Sequence, residues 1–132
     1  MIKGVGHIGI VVSDIERALE SLAKIMSFPE PMVRESAEAK KKVAVVDLGN
    51  VGLELIQDMT ENGPLAQLVK NEGNRIHHFC LLSDNIEEDL EKIKANGVAM
   101  QDQKPKIGLR GKKCALSAPS ALKGIPIELS EP

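Results

Sequence analysis

The sequence predicts an α+β domain built twice, and three features carry that expectation. A strand bearing a histidine runs into a capped helix near the N-terminus, as Gly6-His7-Ile8-Gly9-Ile10-Val11-Val12-Ser13-Asp14. The same pattern returns past the middle, as Arg75-Ile76-His77-His78-Phe79-Cys80-Leu81-Leu82-Ser83-Asp84. Late in each half a single glutamate interrupts an apolar tract, Gly52-Leu53-Glu54-Leu55 first and Pro126-Ile127-Glu128-Leu129 second. Glu54 follows His7 at nearly the distance at which Glu128 follows His78, so strand, helix and several strands occur in that order twice. An internal repeat is weighed before any single residue within it.

Residues 4–12 mix small and β-branched residues, as a buried strand does, with His7, Gly9 and Val11 on one face and Ile8, Ile10 and Val12 on the other. Ser13 is expected to cap the following helix, with Glu16 completing a capping box. Ile15, Ala18, Leu19, Leu22 and Met26 form its apolar stripe, and Pro29 and Pro31 stop it. Residues 32–42 are Lys/Glu-rich and read as a surface strand or turn, with Lys40-Lys41-Lys42 a solvated face. Val43–Leu48 and Val51–Ile56 flank Gly49-Asn50, a two-residue hairpin signal that pairs Val46 with Leu53 and Val45 with Glu54. One face of that hairpin is wholly apolar; on the other, Glu54 is the single carboxylate among Val43, Val45, Gly52 and Ile56.

A linking helix over residues 62–71 starts near Pro64 and ends at Gly73. The second histidine strand then places Ile76, His78, Cys80 and Leu82 on one face and His77, Phe79 and Leu81 on the other. Ile86, Leu90 and Ile93 stripe a helix that Asn96-Gly97 stops. Residues 98–112 are loop-rich, and Lys113–Ala118 and Ile125–Leu129 are the last strands. The division expected is one domain over 1–132, with a first module at about 1–58, a linker at about 59–73 and a second module at about 74–132.

With 132 residues, 42% apolar content and a formal charge of −2, the chain has core enough for one domain and no electrostatic case for nucleic acid or an anionic membrane. No apolar run is long enough to cross a bilayer and no signal-peptide pattern opens the chain, so a cytoplasmic setting is expected. Cys80 and Cys114 read as free thiols, Cys80 as buried core or cleft lining. Two Phe and no Trp or Tyr leave little for stacking flat ligands.

Two repeat halves packed about a pseudo-twofold axis would bring His7, Glu54, His78 and Glu128 into one cleft. Taken singly, a strand histidine is more often packed structure than a ligand, and a strand glutamate more often faces solvent. Their recurrence at matching places changes the balance, because a buried carboxylate without a partner is costly. Two imidazoles and two carboxylates suit one divalent first-row ion, Co, Ni, Mn or Zn. His77, on the opposite face from His78, is not expected among the ligands.

These tracts resemble the vicinal oxygen chelate (glyoxalase/bleomycin resistance/dioxygenase) superfamily, and within it most nearly the methylmalonyl-CoA epimerase family. The likeness covers nearly the whole chain. It lies in Asp47–Ile56, in Ile76-His77-His78-Phe79, in Lys106-Ile107-Gly108 with Gly111-Lys112, and in Gly124–Leu129. The resemblance implies two paired βαβββ modules forming a curved mixed sheet around a metal-binding cleft, with helices outside. It places the metal on the same four residues, His7, Glu54, His78 and Glu128. The chain departs from the family at Ala118-Pro119-Ser120, where a His-Pro-Lys tract is common, and at Val43, where some epimerases carry a carboxylate.

The function implied is a metal-dependent epimerase or isomerase that removes an α-proton from an acyl-CoA-type substrate through a metal-stabilised enolate. Glu128 and Glu54 are the expected catalytic acid/base pair, with Lys41 and Asp47 as weaker candidates. Glyoxalase I-type (lactoylglutathione lyase) isomerisation of a thiol–ketoaldehyde adduct uses the same logic and is the alternative. A non-catalytic small-molecule binder is the third reading; scarce aromatics and retained ligand types argue against it. The partners expected are a small-molecule substrate and a second copy of the chain in a homodimer.

Overall fold

The computed structural model describes residues 1–132, and its elements follow the predicted order. The first half forms β1 (Ile2–Val11), α1 (Ile15–Ala23), β2 (Met32–Ser36), β3 (Lys41–Asp47) and β4 (Gly52–Asp58), and α2 (Pro64–Glu72) leads onward. The second forms β5 (Arg75–Ser83), α3 (Ile86–Ala95), β6 (Lys106–Ile107), β7 (Lys113–Leu116), a 3-10 turn (Pro119–Leu122) and β8 (Ile127–Ser130). Each half is a βαβββ run, and the class is α+β. The chain packs as two compact units, Gly9–Ile76 and Met1–Ile8 with His77–Pro132, a partition that cuts inside β1 and β5. No helix is long and apolar enough to cross a membrane.

In the unit Gly9–Ile76 the strands run β2-β3-β4, followed by the C-terminal end of β1. Gly49 takes φ +92° in the β3–β4 turn, a conformation open to glycine at no steric cost. The hairpin has the expected register, with Val45 opposite Glu54, Val46 opposite Leu53, and Leu48 N–H donating to the Val51 carbonyl at 3.0 Å. The α1 stripe closes the core of this unit: Ile15 packs with Val12, Ala44 and Leu55, and Ala18, Leu19 and Leu22 flank them. Full burial of a side chain such as Ile15 or Leu55 contributes about 1.5–3 kcal/mol.

The cap of α1 differs from expectation. Asp14, not Ser13, is the N-cap, and its carboxylate accepts the Arg17 N–H at 3.1 Å. Ser13 donates its own N–H to Asn74 Oδ1, and Glu16 takes Lys42 Nζ at 2.6 Å instead of reaching back to the cap. Two acceptors competed for one position, and the carboxylate had the geometry.

In the unit Met1–Ile8 with His77–Pro132 the order is β1 (its N-terminal part), β5, β8, β7 and β6. β8 runs parallel to β5 and antiparallel to β7, so this sheet is mixed. The core is the α3 stripe on the strands behind it, Ile86 and Leu90 against Met100, Ala115 and Leu129, with Leu81, Ile93 and Val98 at its margin. Asn85 caps α3 by accepting the Glu88 N–H, and acidic residues fill the first turn, where the helix dipole favours them. Gly6 permits a close approach: a Cβ there would sit 2.7 Å from Leu82 Cδ2. The strand predicted over Lys113–Ala118 ends at Leu116: Ile127 donates its N–H to the Ser117 hydroxyl and not to a backbone carbonyl, and Pro119 opens the 3-10 turn.

Candidate metal centre

Strand alternation decides which side chains of this second unit turn inward. His7 on β1 and His78 and Cys80 on β5 fall on the buried positions of their strands. Parallel pairing sets Cys80 directly opposite Glu128, with His78 two residues along on the same face. The outcome is a tight group. His7 Nε2 lies 3.2 Å from His78 Nε2, 3.5 Å from Glu128 Oε1, and Glu128 Oε2 lies 3.7 Å from His78 Nε2. Ligand atoms of His7, Cys80 and Glu128 also lie within 4.8 Å of one another.

Burial sets the charge of these groups. It pushes His7 down to about 3, aided by the Arg110 guanidinium and by His78. It pushes His78 down to about 4, aided by His77 and Arg110. Both rings are therefore neutral at physiological pH. Burial also raises the Glu128 carboxyl, while Arg110 and a hydrogen bond from Cys80 pull it back toward the charged form. Arg110 Nη2 reaches Glu128 Oε1 at 3.1 Å and Ser130 Oγ at 3.2 Å.

Neutral imidazole and carboxylate are the forms that ligate, so binding here would not have to displace protons from charged histidines. Donors bound at about 2.0–2.2 Å to one ion stand about 3 Å or a little more from each other. The three spacings among His7, His78 and Glu128 match that, and the residues fit a divalent ion.

Glu54 lies in the other unit, on β4, and is 7% exposed. Asp47 is exposed and closes the β3–β4 turn by accepting the Gly49 N–H at 2.8 Å. His77 is half-buried and its Nδ1 stands 2.9 Å from His78 Nδ1, the rings nearly perpendicular. Arg110 and Ser130 escaped the sequence reading. Arg110 sits inside the Gly108–Gly111 loop, between the two tracts on which the family resemblance rested; a lone Arg flanked by glycines was the available signal.

The family model described as the Glyoxalase/Bleomycin resistance protein/Dioxygenase superfamily matches residues 6–115. The uncharacterized protein YqjC of Bacillus subtilis is 31% identical over 96% of this chain and 90% of its own length. The mitochondrial methylmalonyl-CoA epimerase of Homo sapiens is 29% identical over 95% of this chain and 72% of its own. The crystal structure of methylmalonyl-CoA epimerase from Mycobacterium tuberculosis superposes with a TM-score of 0.90 over 99% of this chain and 89% of that one, at 18% identity. The vicinal oxygen chelate fold is thereby shared.

Proposed function

Because the chain belongs to the Glyoxalase/Bleomycin resistance protein/Dioxygenase superfamily and is homologous to methylmalonyl-CoA epimerases, we propose that it is an epimerase of acyl-CoA thioesters. In this reading His7, Glu54, His78 and Glu128 hold one divalent metal ion, and Glu128 and Glu54 move the α-proton. The observation that carries it is the convergence of His7, His78 and Glu128 at 3.2–3.7 Å, with both rings neutral. Support for Glu54 comes from its place in the repeat, where it is the counterpart of Glu128, and from its burial.

Epimerisation needs a proton removed from one face of a carbon and returned to the other, hence two acid/base groups. Glu128 suits one role. Burial raises its proton affinity toward the working pH, and Arg110 and Cys80 hold the carboxylate in one orientation. Glu54 is assigned the opposite face. His7 and His78 offer lone pairs, and their depressed proton affinity keeps them from competing for the substrate's proton. The metal, when bound, supplies Lewis-acid stabilisation of negative charge developing on the substrate's carbonyl oxygen. Cys80 and Cys114 are both buried and outside any disulfide, which supports a reducing, cytoplasmic setting.

The test is exchange of the α-proton of methylmalonyl-CoA in deuterated water, with Co²⁺, Ni²⁺, Mn²⁺ or Zn²⁺ supplied and then removed by chelator. Metal-dependent exchange is expected, and Glu54→Gln should abolish inversion of the α-carbon. No exchange with any acyl-CoA, together with turnover of the methylglyoxal–glutathione adduct, would replace the epimerase with a glyoxalase. Undiminished inversion by Glu54→Gln would remove that residue from the mechanism.

A further inference from the structure

His77 is not expected among the ligands, and its Nδ1 lies 2.9 Å from Nδ1 of His78. A neutral imidazole has one N–H donor and one lone pair, so assigning one proton assigns its neighbour's. His78 faces partners at both nitrogens: Nδ1 meets His77, and Nε2 meets His7 at 3.2 Å and Glu128 at 3.7 Å. Only two proton arrangements satisfy the 2.9 Å contact. If His77 donates, the His78 proton is on Nε2 and blocks the lone pair that a metal would need. If His78 donates, its Nε2 lone pair is presented to the site and His77 carries its own proton on Nε2.

We propose that His77 is a positioning residue: its Nδ1 accepts the Nδ1–H of His78 and holds His78 in the tautomer that presents an Nε2 lone pair toward His7 and Glu128. This rests on the metal-binding reading above. Ligating histidines commonly donate their second N–H to a carboxylate, a carbonyl or water, and that partner orients the ring. Here the acceptor is an imidazole adjacent in sequence. Side chains of neighbouring strand residues leave on opposite faces, but the Nδ1 atoms lie close to the backbone, where the two rings can still meet. The two rings stand 88° apart, with centroids 5.2 Å from one another.

The experiment is long-range ¹H–¹⁵N NMR on the Zn²⁺-loaded full chain, joined to Zn²⁺ affinities of two variants. In the unaltered protein His78 should show a protonated Nδ1 and a metal-bound Nε2, and His77 a bare Nδ1 with its proton on Nε2. His77→Leu, which removes the acceptor, should weaken Zn²⁺ binding by about 10- to 100-fold. His77→Asn should restore most of it, because the amide oxygen occupies the place of Nδ1. A protonated Nδ1 on His77, or unchanged affinity in His77→Leu, overturns the proposal while leaving the metal site standing. Failure of the unaltered protein to bind Zn²⁺, Co²⁺, Ni²⁺ or Mn²⁺ overturns the metal reading and this role with it.

Discussion

Acidifying the metal-free protein from pH 7 to pH 5 should remove about 4 kcal/mol of stability through His7 and His78 alone. Each ring is buried and neutral in the fold, with its pKa depressed to about 3 and about 4 from an ordinary 6.5. The unfolded chain therefore binds protons below 6.5 that the folded chain refuses until far lower pH. Stability is then fully present above 6.5 and is lost as pH falls below it. Between 6.5 and 5 the loss is about 2 kcal/mol per histidine, at roughly 1.4 kcal/mol per pH unit. His77, also depressed by burial, adds in the same direction. Glu128 opposes them, because burial raises its pKa and the fold gains from its protonation above the ordinary 4.5. A Glu128→Gln background removes that opposition. Urea unfolding in chelator at pH 7 and pH 5 reads the difference, and replacing His7 by Asn in the same background should shrink the change by about 2 kcal/mol. The pH slope is the observable, so a uniform cost of the substitution does not obscure it. Equal stability at the two pH values, or a slope that ignores the loss of His7, would refute the neutral buried pair. A loss of this size matters because a small domain has only about 5–15 kcal/mol in total.

Arg110→Met should raise the Glu128 pKa further, since burial would then act with less opposition; ¹³C NMR of the Glu128 carboxyl follows it, and an unmoved titration would deny Arg110 its role as counter-ion. A homodimer, expected from the sequence, would sediment at twice 14.3 kDa; apolar side chains left exposed on edge strands, Met32 and Val33 on β2 and Ile107 on β6, support it. A species that stays at 14.3 kDa at high concentration would rule it out.

What the sequence determined by itself was local. Gly49-Asn50 specified a hairpin register that the fold reproduces pair by pair, since a two-residue turn leaves strand pairing no freedom to slip. The stripes Ile15-Ala18-Leu19-Leu22 and Ile86-Leu90-Ile93 named the helix faces that close the two cores, because only one face of each helix is apolar. The repeat singled out His7, Glu54, His78 and Glu128 as candidate ligands before any distance was known. Tertiary structure decided what has no local signature. Parallel pairing of β8 with β5 joins residues nearly fifty apart and puts Cys80 opposite Glu128; the hydrogen bonds that set this register are formed only in the folded sheet. The Gly108–Gly111 loop delivers Arg110 to Glu128, and a glycine-flanked loop has no periodicity from which its path could be read. Strand alternation separated His77 from His78 correctly as to face, but not as to the reach of an imidazole nitrogen beside the backbone. That last 2.9 Å is a property of side-chain torsions, which the strand period leaves open.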